Sequence, residues 1–267
     1  MPDLSDFDEH LAPKRHRVLF FDIESAPMIT HLWDLRADYV NPDMIIRPSF
    51  LLCWAAKWSD SDEVIGERLT GKEAKADDDS RIVAKLADLV READYVCGHN
   101  GDRFDLPKLN ARVAVHGLDP LGNVKTIDTL KLARSGFKFA SNRLGELAAA
   151  LGIDGKFPTS FDLWRRCMAG DVPALKEMDA YCRQDVLVLE QVFAALRPYS
   201  KSLPRLVDAG QFGQRCCPSC GSADLTEMDK PYRTNASTYR RFRCEACGRE
   251  CRHRRQADVP KLEMRPI

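Results

Sequence analysis

Two cysteine pairs, Cys217-Pro-Ser-Cys220 and Cys244-Glu-Ala-Cys247, stand 23 residues apart and restrict the end of this chain more than any other feature. Each C-x2-C pair closes a tight knuckle, and two such knuckles supply the four thiolates that a tetrahedral Zn²⁺ takes. Gly221 and Gly248 follow the pairs and let the backbone turn beneath the metal. About 50 residues with little else that is apolar cannot hold a core, so the metal supplies it. Four sulfur ligands leave no open position, which makes this one ion structural. Cys216, Cys251 and His253 are spare ligands, and Cys216 could replace its neighbour Cys217.

The remaining cysteines, Cys53, Cys97, Cys167 and Cys182, are scattered singly and read as small buried hydrophobes. Residues 1–17 are charged and lack an apolar core, so no secretory signal is expected. The longest apolar run, residues 50–56, is far too short to cross a bilayer. A cytoplasmic location (the host cytoplasm if the source is viral), reduced thiols and no membrane partner follow as expectations. Net charge is zero, from 40 basic and 40 acidic side chains, which excludes a polycationic coat protein. Neutrality hides a partition. Residues 201–267 carry 14 basic against 8 acidic side chains, a net of +6, and residues 1–200 carry 26 against 32, a net of −6. Arg233, Arg240, Arg241, Arg243, Arg249, Arg252, Arg254 and Arg255, with Tyr239 and Phe242 interleaved, predict a basic surface suited to phosphates and exposed bases. The plainer alternative is a solvated basic face that offsets the thiolates.

In the first 200 residues, apolar runs predict strands at 18–23, 50–58, 63–69, 95–98 and 124–127. Helical spacing covers Ile82–Val90, Asp105 to Val115, Leu144–Leu151, and a last long helix after Pro173. On that helix Leu175, Met178, Cys182, Val186, Leu189 and Phe193 form one face. Three strands and then alternating helix and strand predict an α/β fold, a mixed sheet flanked by helices. The expected organisation is a charged extension (1–16), the α/β domain (17–200), a linker (201–213) and a zinc ribbon (214–267).

Asp22 and Glu24 stand two apart at the end of the first strand, so both carboxylates reach one face. Such hard oxygen ligands select Mg²⁺ or Mn²⁺. Asn100-Gly-Asp-Arg-Phe104-Asp105 follows a core strand; Asp105 opens a helix, and Asp102 is its rival. Asp105 as a simple helix cap is the ordinary alternative. Tyr181 and Asp185 stand four apart on the last helix and share a face. Tyr39 and Asp43 repeat that spacing, but Pro42 disfavours helix at Asn41.

Asp22/Glu24, Asn100…Phe104-Asp105 and Tyr181…Asp185, in this order, resemble the three motifs of the DEDD superfamily of 3′–5′ exonucleases. Position 180 is Ala rather than the His of the H-type, so the chain is similar to the Y-type, as in DNA polymerase proofreading domains. The N-x3-F-D form of the second motif is similar to family B. The resemblance spans roughly residues 17–197 and implies a ribonuclease-H-like mixed sheet and two-metal phosphodiester hydrolysis at DNA 3′ ends. It implies two ions, Mg²⁺ or Mn²⁺, with Asp22, Glu24 and Asp185 on the first and Asp22 and Asp105 on the second. Tyr181 would orient the attacking water, because a phenol is too weak an acid to act as base near neutral pH. Nucleoside 5′-monophosphates are the implied product, and replication or repair proteins the implied protein partners.

Ser25 stands where many relatives have Thr, and Phe104 reads either as a core aromatic or as a ring that stacks near the terminal base. Residues 125–166 hold eight cations, Lys125, Lys131, Arg134, Lys138, Arg143, Lys156, Arg165 and Arg166, against four acids. With Phe137, Phe139 and Trp164 between them they predict a track for single-stranded DNA, in which Ser25, Asn100, Phe104, Arg134, Lys138 and Arg143 are candidate substrate contacts. A solvated face with core aromatics is the alternative. Two competing functions remain: a 3′–5′ exoribonuclease, and an inactive nucleic-acid-binding scaffold that docks through the ribbon.

Overall fold

The computed structural model describes residues 14–34, 39–155, 159–200, 203–208, 215–235 and 237–253. Internal packing divides the chain into Arg17–Ala195 and a second unit made of Met1–His16 with Leu196–Ile267.

The first unit is built on five strands, β1 (Val18–Ser25), β2 (Leu51–Trp58), β3 (Val64–Arg68), β4 (Tyr95–Gly98) and β5 (Thr126–Asp128). Their spatial order is β3-β2-β1-β4-β5. β1, β2 and β3 are antiparallel, while β4 and β5 run parallel to β1. This is the expected mixed sheet. Its central strands read as unbroken apolar runs because both faces are covered: Val18 to Phe21 and Leu51 to Lys57 are buried throughout. The covering helices are α1 (Gly71–Ala76), α2 (Ser80–Glu92), α3 (Asp105–Val115), α4 (Thr129–Gly136), α5 (Leu144–Ala150), α6 (Phe161–Met168) and α7 (Val172–Leu196).

α7 is fixed to the sheet in three ways. Its six-residue apolar face is buried, and Phe193 meets Phe20 of β1 at 5.6 Å between ring centres. Buried Lys57 of β2 pairs with Glu190 at 2.8 Å. Arg183 donates to the carbonyls of Val64 (2.6 Å) and Gly66 (3.1 Å), which covers an otherwise open sheet edge. A second tie holds α3. Fully buried Asp79, just before α2, accepts from the Leu51 N–H (2.7 Å), Arg112 Nε (2.8 Å) and Arg112 Nη2 (2.6 Å), with His116 Nε2 at 2.5 Å.

The short elements escaped the periodicity reading. Ile29–Thr30 pairs with Ile45–Arg47, and α1 is too brief to show a period. Its available signal was the capping box of Thr70 and Glu73, which the structure forms in both directions. Tyr39 and Asp43 do not share a helix face, because Asn41 is extended and caps a 3-10 turn, Pro42–Met44.

In the second unit Lys14–Arg15, part of the stretch set apart as an extension, pairs antiparallel with Val207–Asp208. Strands β6 (Leu225–Glu227), β7 (Arg241–Cys244) and β8 (Glu250–Arg252) form an antiparallel sheet, and Tyr232–Arg233 pairs with Thr238–Tyr239. Phe242 and Cys244 point inward from β7 and are buried, while Arg243 on the opposite face is exposed.

Candidate active site and metal centres

The acids converge at the end of β1. Asp22 and Glu24 alternate with buried Ile23, so they share one face, and α7 brings Asp185 to them. Carboxylate oxygens of Asp22, Glu24 and Asp185 lie within 4.8 Å of one another. Asp105 joins them from the first turn of α3, where its Oδ1 accepts the Ile23 N–H at 3.3 Å. Its approach depends on the turn after β4. Gly98 and Gly101 pack so closely that a Cβ on Gly98 would stand 3.2 Å from the Gly101 Cα. Asn100 is left-handed (φ 67°) within that turn, and its N–H donates to Asp128 Oδ1 at 3.0 Å. Asp102 points elsewhere, to Lys131 at 2.5 Å.

Crowding these acids into a buried place raises their proton affinity. Burial, then Asp185 and Asp105, pushes Glu24 up to about 8. Burial pushes Asp105 up to about 7, against the bond from Ile23. Burial takes Asp185 to about 6, with the Tyr181 hydroxyl pulling the other way. Asp22 rises well above the carboxylate range through burial and then its three acidic neighbours, while the Cys182 thiol, 3.6 Å from Oδ2, lowers it. Tyr181 is raised by burial and by Asp185, so its phenol keeps its proton. Several carboxylates on one spot, whose mutual repulsion only bound protons relieve, fit a divalent cation that would replace those protons.

Tyr181 and Asp185 open onto a cleft of 940 Å³ that Arg143 also lines. A second groove of 600 Å³ lies against Ser25, Phe104 and Trp164. Phe104 is 41% exposed, so it is a groove wall rather than a core aromatic. The strand register shifts between Glu24 and Ser25, where Leu52 of β2 is skipped. Ser25 Oγ accepts from Lys108 Nζ at 2.7 Å. Lys108 escaped the sequence reading, although its position one turn after Asp105 on the same helix face was the available signal.

The expected cationic track is thinner than its composition. Lys131, Arg165 and Arg166 are paired with Asp102, Asp162 and Asp171. Arg134, Lys138 and Arg143 are exposed, and Phe137 stacks on Phe139 at 5.0 Å. Lys156 lies outside the described residues.

In the second unit the sulfur atoms of Cys217, Cys220, Cys244 and Cys247 lie within 4.8 Å of one another. The pairs Cys217–Cys247 and Cys220–Cys244 are 3.7 and 3.5 Å apart. A tetrahedron with Zn–S bonds of about 2.3 Å has edges of about 3.8 Å, so the donor set fits zinc. The Ser219 N–H points at Cys217 Sγ (3.4 Å), and Gly221 and Gly248 turn beneath with φ of 77° and 70°. Without an ion, burial pushes Cys220 up to about 11. Cys216, Cys251 and His253 fall outside this group of four.

The basic surface needs correction. Phe242 is buried between Arg215 and Arg240 and presents no face to a base. Arg240 and Arg241 pair with Glu227 and Glu250, and half-buried Arg249 reaches the Leu203 carbonyl. Arg233, Arg243 and Arg252 remain exposed, with Arg252 stacked on Tyr239 at 4.0 Å. Arg254 and Arg255 lie outside the described residues.

A family model described as RNase_H superfamily matches residues 58–197, and the chain belongs to that superfamily. The chain is also similar to a DNA polymerase of Methanocaldococcus jannaschii, with 32% identity over 63 residues, 24% of this chain. It spans only 4% of that relative's length. Among solved structures, the family B DNA polymerase of the hyperthermophilic archaeon Pyrobaculum calidifontis aligns with a TM-score of 0.48 and 21% identity. That alignment covers 70% of this chain and 26% of the polymerase. Membership of that superfamily supports a nuclease-like function on nucleic acid. No helix among the described residues is long and apolar enough to cross a membrane.

Proposed function

We propose that the chain is a metal-dependent 3′–5′ exonuclease that hydrolyses phosphodiester bonds at DNA 3′ ends and releases nucleoside 5′-monophosphates. One observation carries this reading: Asp22, Glu24 and Asp185 meet within 4.8 Å, with Asp105 and Tyr181 beside them, and Tyr181 and Asp185 line a cleft. In the two-ion assignment, Asp22, Glu24 and Asp185 hold one Mg²⁺ or Mn²⁺, and Asp22 with Asp105 holds the other. Such ions supply Lewis-acid stabilisation of the phosphoryl group and lower the pKa of a bound water. Tyr181 cannot be the base, since its phenol is held above its ordinary range. It donates to Asp185 and orients the attacking water. The 63-residue similarity to a protein named as a DNA polymerase supports DNA as substrate.

The four cysteines hold one structural Zn²⁺ in a ribbon spanning about residues 214–267. Its exposed Arg233, Arg243 and Arg252, with Tyr239, offer phosphate and stacking contacts to single-stranded DNA. Arg143 is the candidate strand contact of the large cleft. A cytoplasmic setting agrees with ten unpaired cysteines.

The test is incubation of 5′-labelled and 3′-labelled single-stranded DNA and RNA with Mg²⁺ or Mn²⁺. Stepwise loss from the 3′ end of DNA, abolished in Asp22→Ala, is expected; undiminished cleavage by that variant refutes the assignment. For the ribbon, elemental analysis should find one zinc per chain, lost in Cys244→Ala.

A further inference from the structure

Among the cations expected to form a substrate track, several are already matched by acids. Lys108 is different. Its Nζ donates to Ser25 Oγ at 2.7 Å and to Ser49 Oγ at 3.1 Å, both neutral acceptors. Ser49 in turn donates its own hydrogen to the Ala26 carbonyl at 2.7 Å, which leaves its oxygen aimed at the ammonium. An ammonium has three N–H donors, and the two serines take two. Two hydroxyls thus fix the direction of a long side chain without cancelling its charge.

The place it occupies is rich in apolar side chains, with only the hydroxyls of Ser25, Ser49, Thr159 and Ser160 beside them. Lys108 lines the 600 Å³ groove with Met28, Phe104, Phe161 and Trp164. Its Nζ stands 4.8 Å from the centre of the Phe104 ring. Phe161 is 64% exposed, so ring faces are open to a flat partner. Lys108 lies one turn beyond Asp105 on α3, and Ser25 directly follows Glu24. An oriented cation among open aromatic rings, one turn from the acids, matches a nucleotide unit: a base for the rings and a phosphate for the charge.

We propose that Lys108 is a substrate-contacting residue whose ammonium, presented by Ser25 and Ser49, binds a backbone phosphate of the strand lying in this groove. The proposal rests on the nuclease reading above and adds to it a residue that none of the three acidic motifs contains. The competing role is internal: Lys108 offsetting the charge of Asp105 and touching no substrate.

Binding of dye-labelled single-stranded oligodeoxynucleotides is measured by anisotropy in Ca²⁺. Each strand carries one uncharged methylphosphonate at a different linkage near its 3′ end. Wild type should lose about tenfold in affinity at one particular linkage, the scale of one charge-assisted hydrogen bond. Lys108→Met should lose about tenfold on the unmodified strand and nothing further at that linkage, with losses at other linkages unchanged. Its slope of log affinity against log salt should flatten by about 0.7, one phosphate contact on a single strand. Lys108→Arg should restore most of the affinity; if folding of the Met variant is impaired, Lys108→Gln, which keeps hydrogen-bonding capacity towards the serines, replaces it and should show the same losses.

If Lys108→Met feels every methylphosphonate as wild type does, with an unchanged salt slope, the proposal is overturned. The same holds if only the divalent-ion requirement shifts, which assigns Lys108 to Asp105. Cleavage by wild type without the coupling sinks this proposal alone; a wild type that neither binds nor cleaves sinks the nuclease reading with it.

Discussion

Asp185→Asn should stabilise the ion-free protein while destroying its activity. In the fold the Asp185 carboxyl titrates at about 6 against an ordinary value of 3.8, chiefly because it is buried. A folded-state pKa above the unfolded one means that ionisation opposes folding. The penalty is absent well below pH 4, grows as pH rises towards 6, and is constant above that. Two pK units correspond to about 3 kcal/mol at pH 8, falling to about 1 kcal/mol at pH 4.5. Asparagine keeps the shape and can still accept from Tyr181, but it cannot ionise. For a unit of this size the melting temperature should rise by about 6–12 °C at pH 8 and by much less at pH 4.5. The assay is thermal or urea unfolding in buffer freed of Mg²⁺ and Mn²⁺ by resin, with no chelator added to the protein. Adding Mn²⁺ should reverse the order, since wild type gains binding energy that the variant lacks. Equal or lower stability of the variant at pH 8 without added ions would refute the reasoning.

Tyr181→Phe should fold normally and lower kcat by about ten- to a hundredfold with little change in KM, because it removes an orienting group; a large KM change would place Tyr181 in substrate binding instead. Apparent affinity for Mn²⁺ should weaken steadily from pH 8 to pH 6, since Glu24 at about 8 and Asp105 at about 7 must lose their protons to bind it. Calorimetry in buffers of different ionisation enthalpy should show the released protons, and pH-independent affinity with no release contradicts the site. Asp79→Ala should cost about 3–5 kcal/mol in urea unfolding, because it strands the Arg112 charge and the Leu51 N–H in the core. A loss below about 1 kcal/mol would show that this cluster does not hold α3.

The strands and the long helix were legible because their apolar periods span whole elements. The acids were legible through order and spacing, each at an end of an element where a short offset decides the direction of a side chain. Choosing Asp105 over Asp102 needed more, because the turn at Gly98–Gly101 and the Lys131 partner are set by tertiary packing. The same limit explains the overstated cations. Composition counts Lys131, Arg165 and Arg166, but their charges are matched by acids up to 29 residues away in sequence. Phe242 read as an exposed aromatic because it sits between arginines, whereas strand alternation points it at the ribbon's core. Lys108 stayed hidden since neither serine that orients it is near it in sequence.

The pairing of Lys14–Arg15 with Val207–Asp208 imposes an order in time. On the ribosome, residues 14–15 emerge early, yet their strand partner is made only after the whole of Arg17–Ala195 has been synthesised. The RNase H unit can therefore complete its sheet while the second unit is still waiting for its last segments. A chain interrupted after residue 195 would carry the acidic cluster complete and leave residues 14–15 without their strand partner.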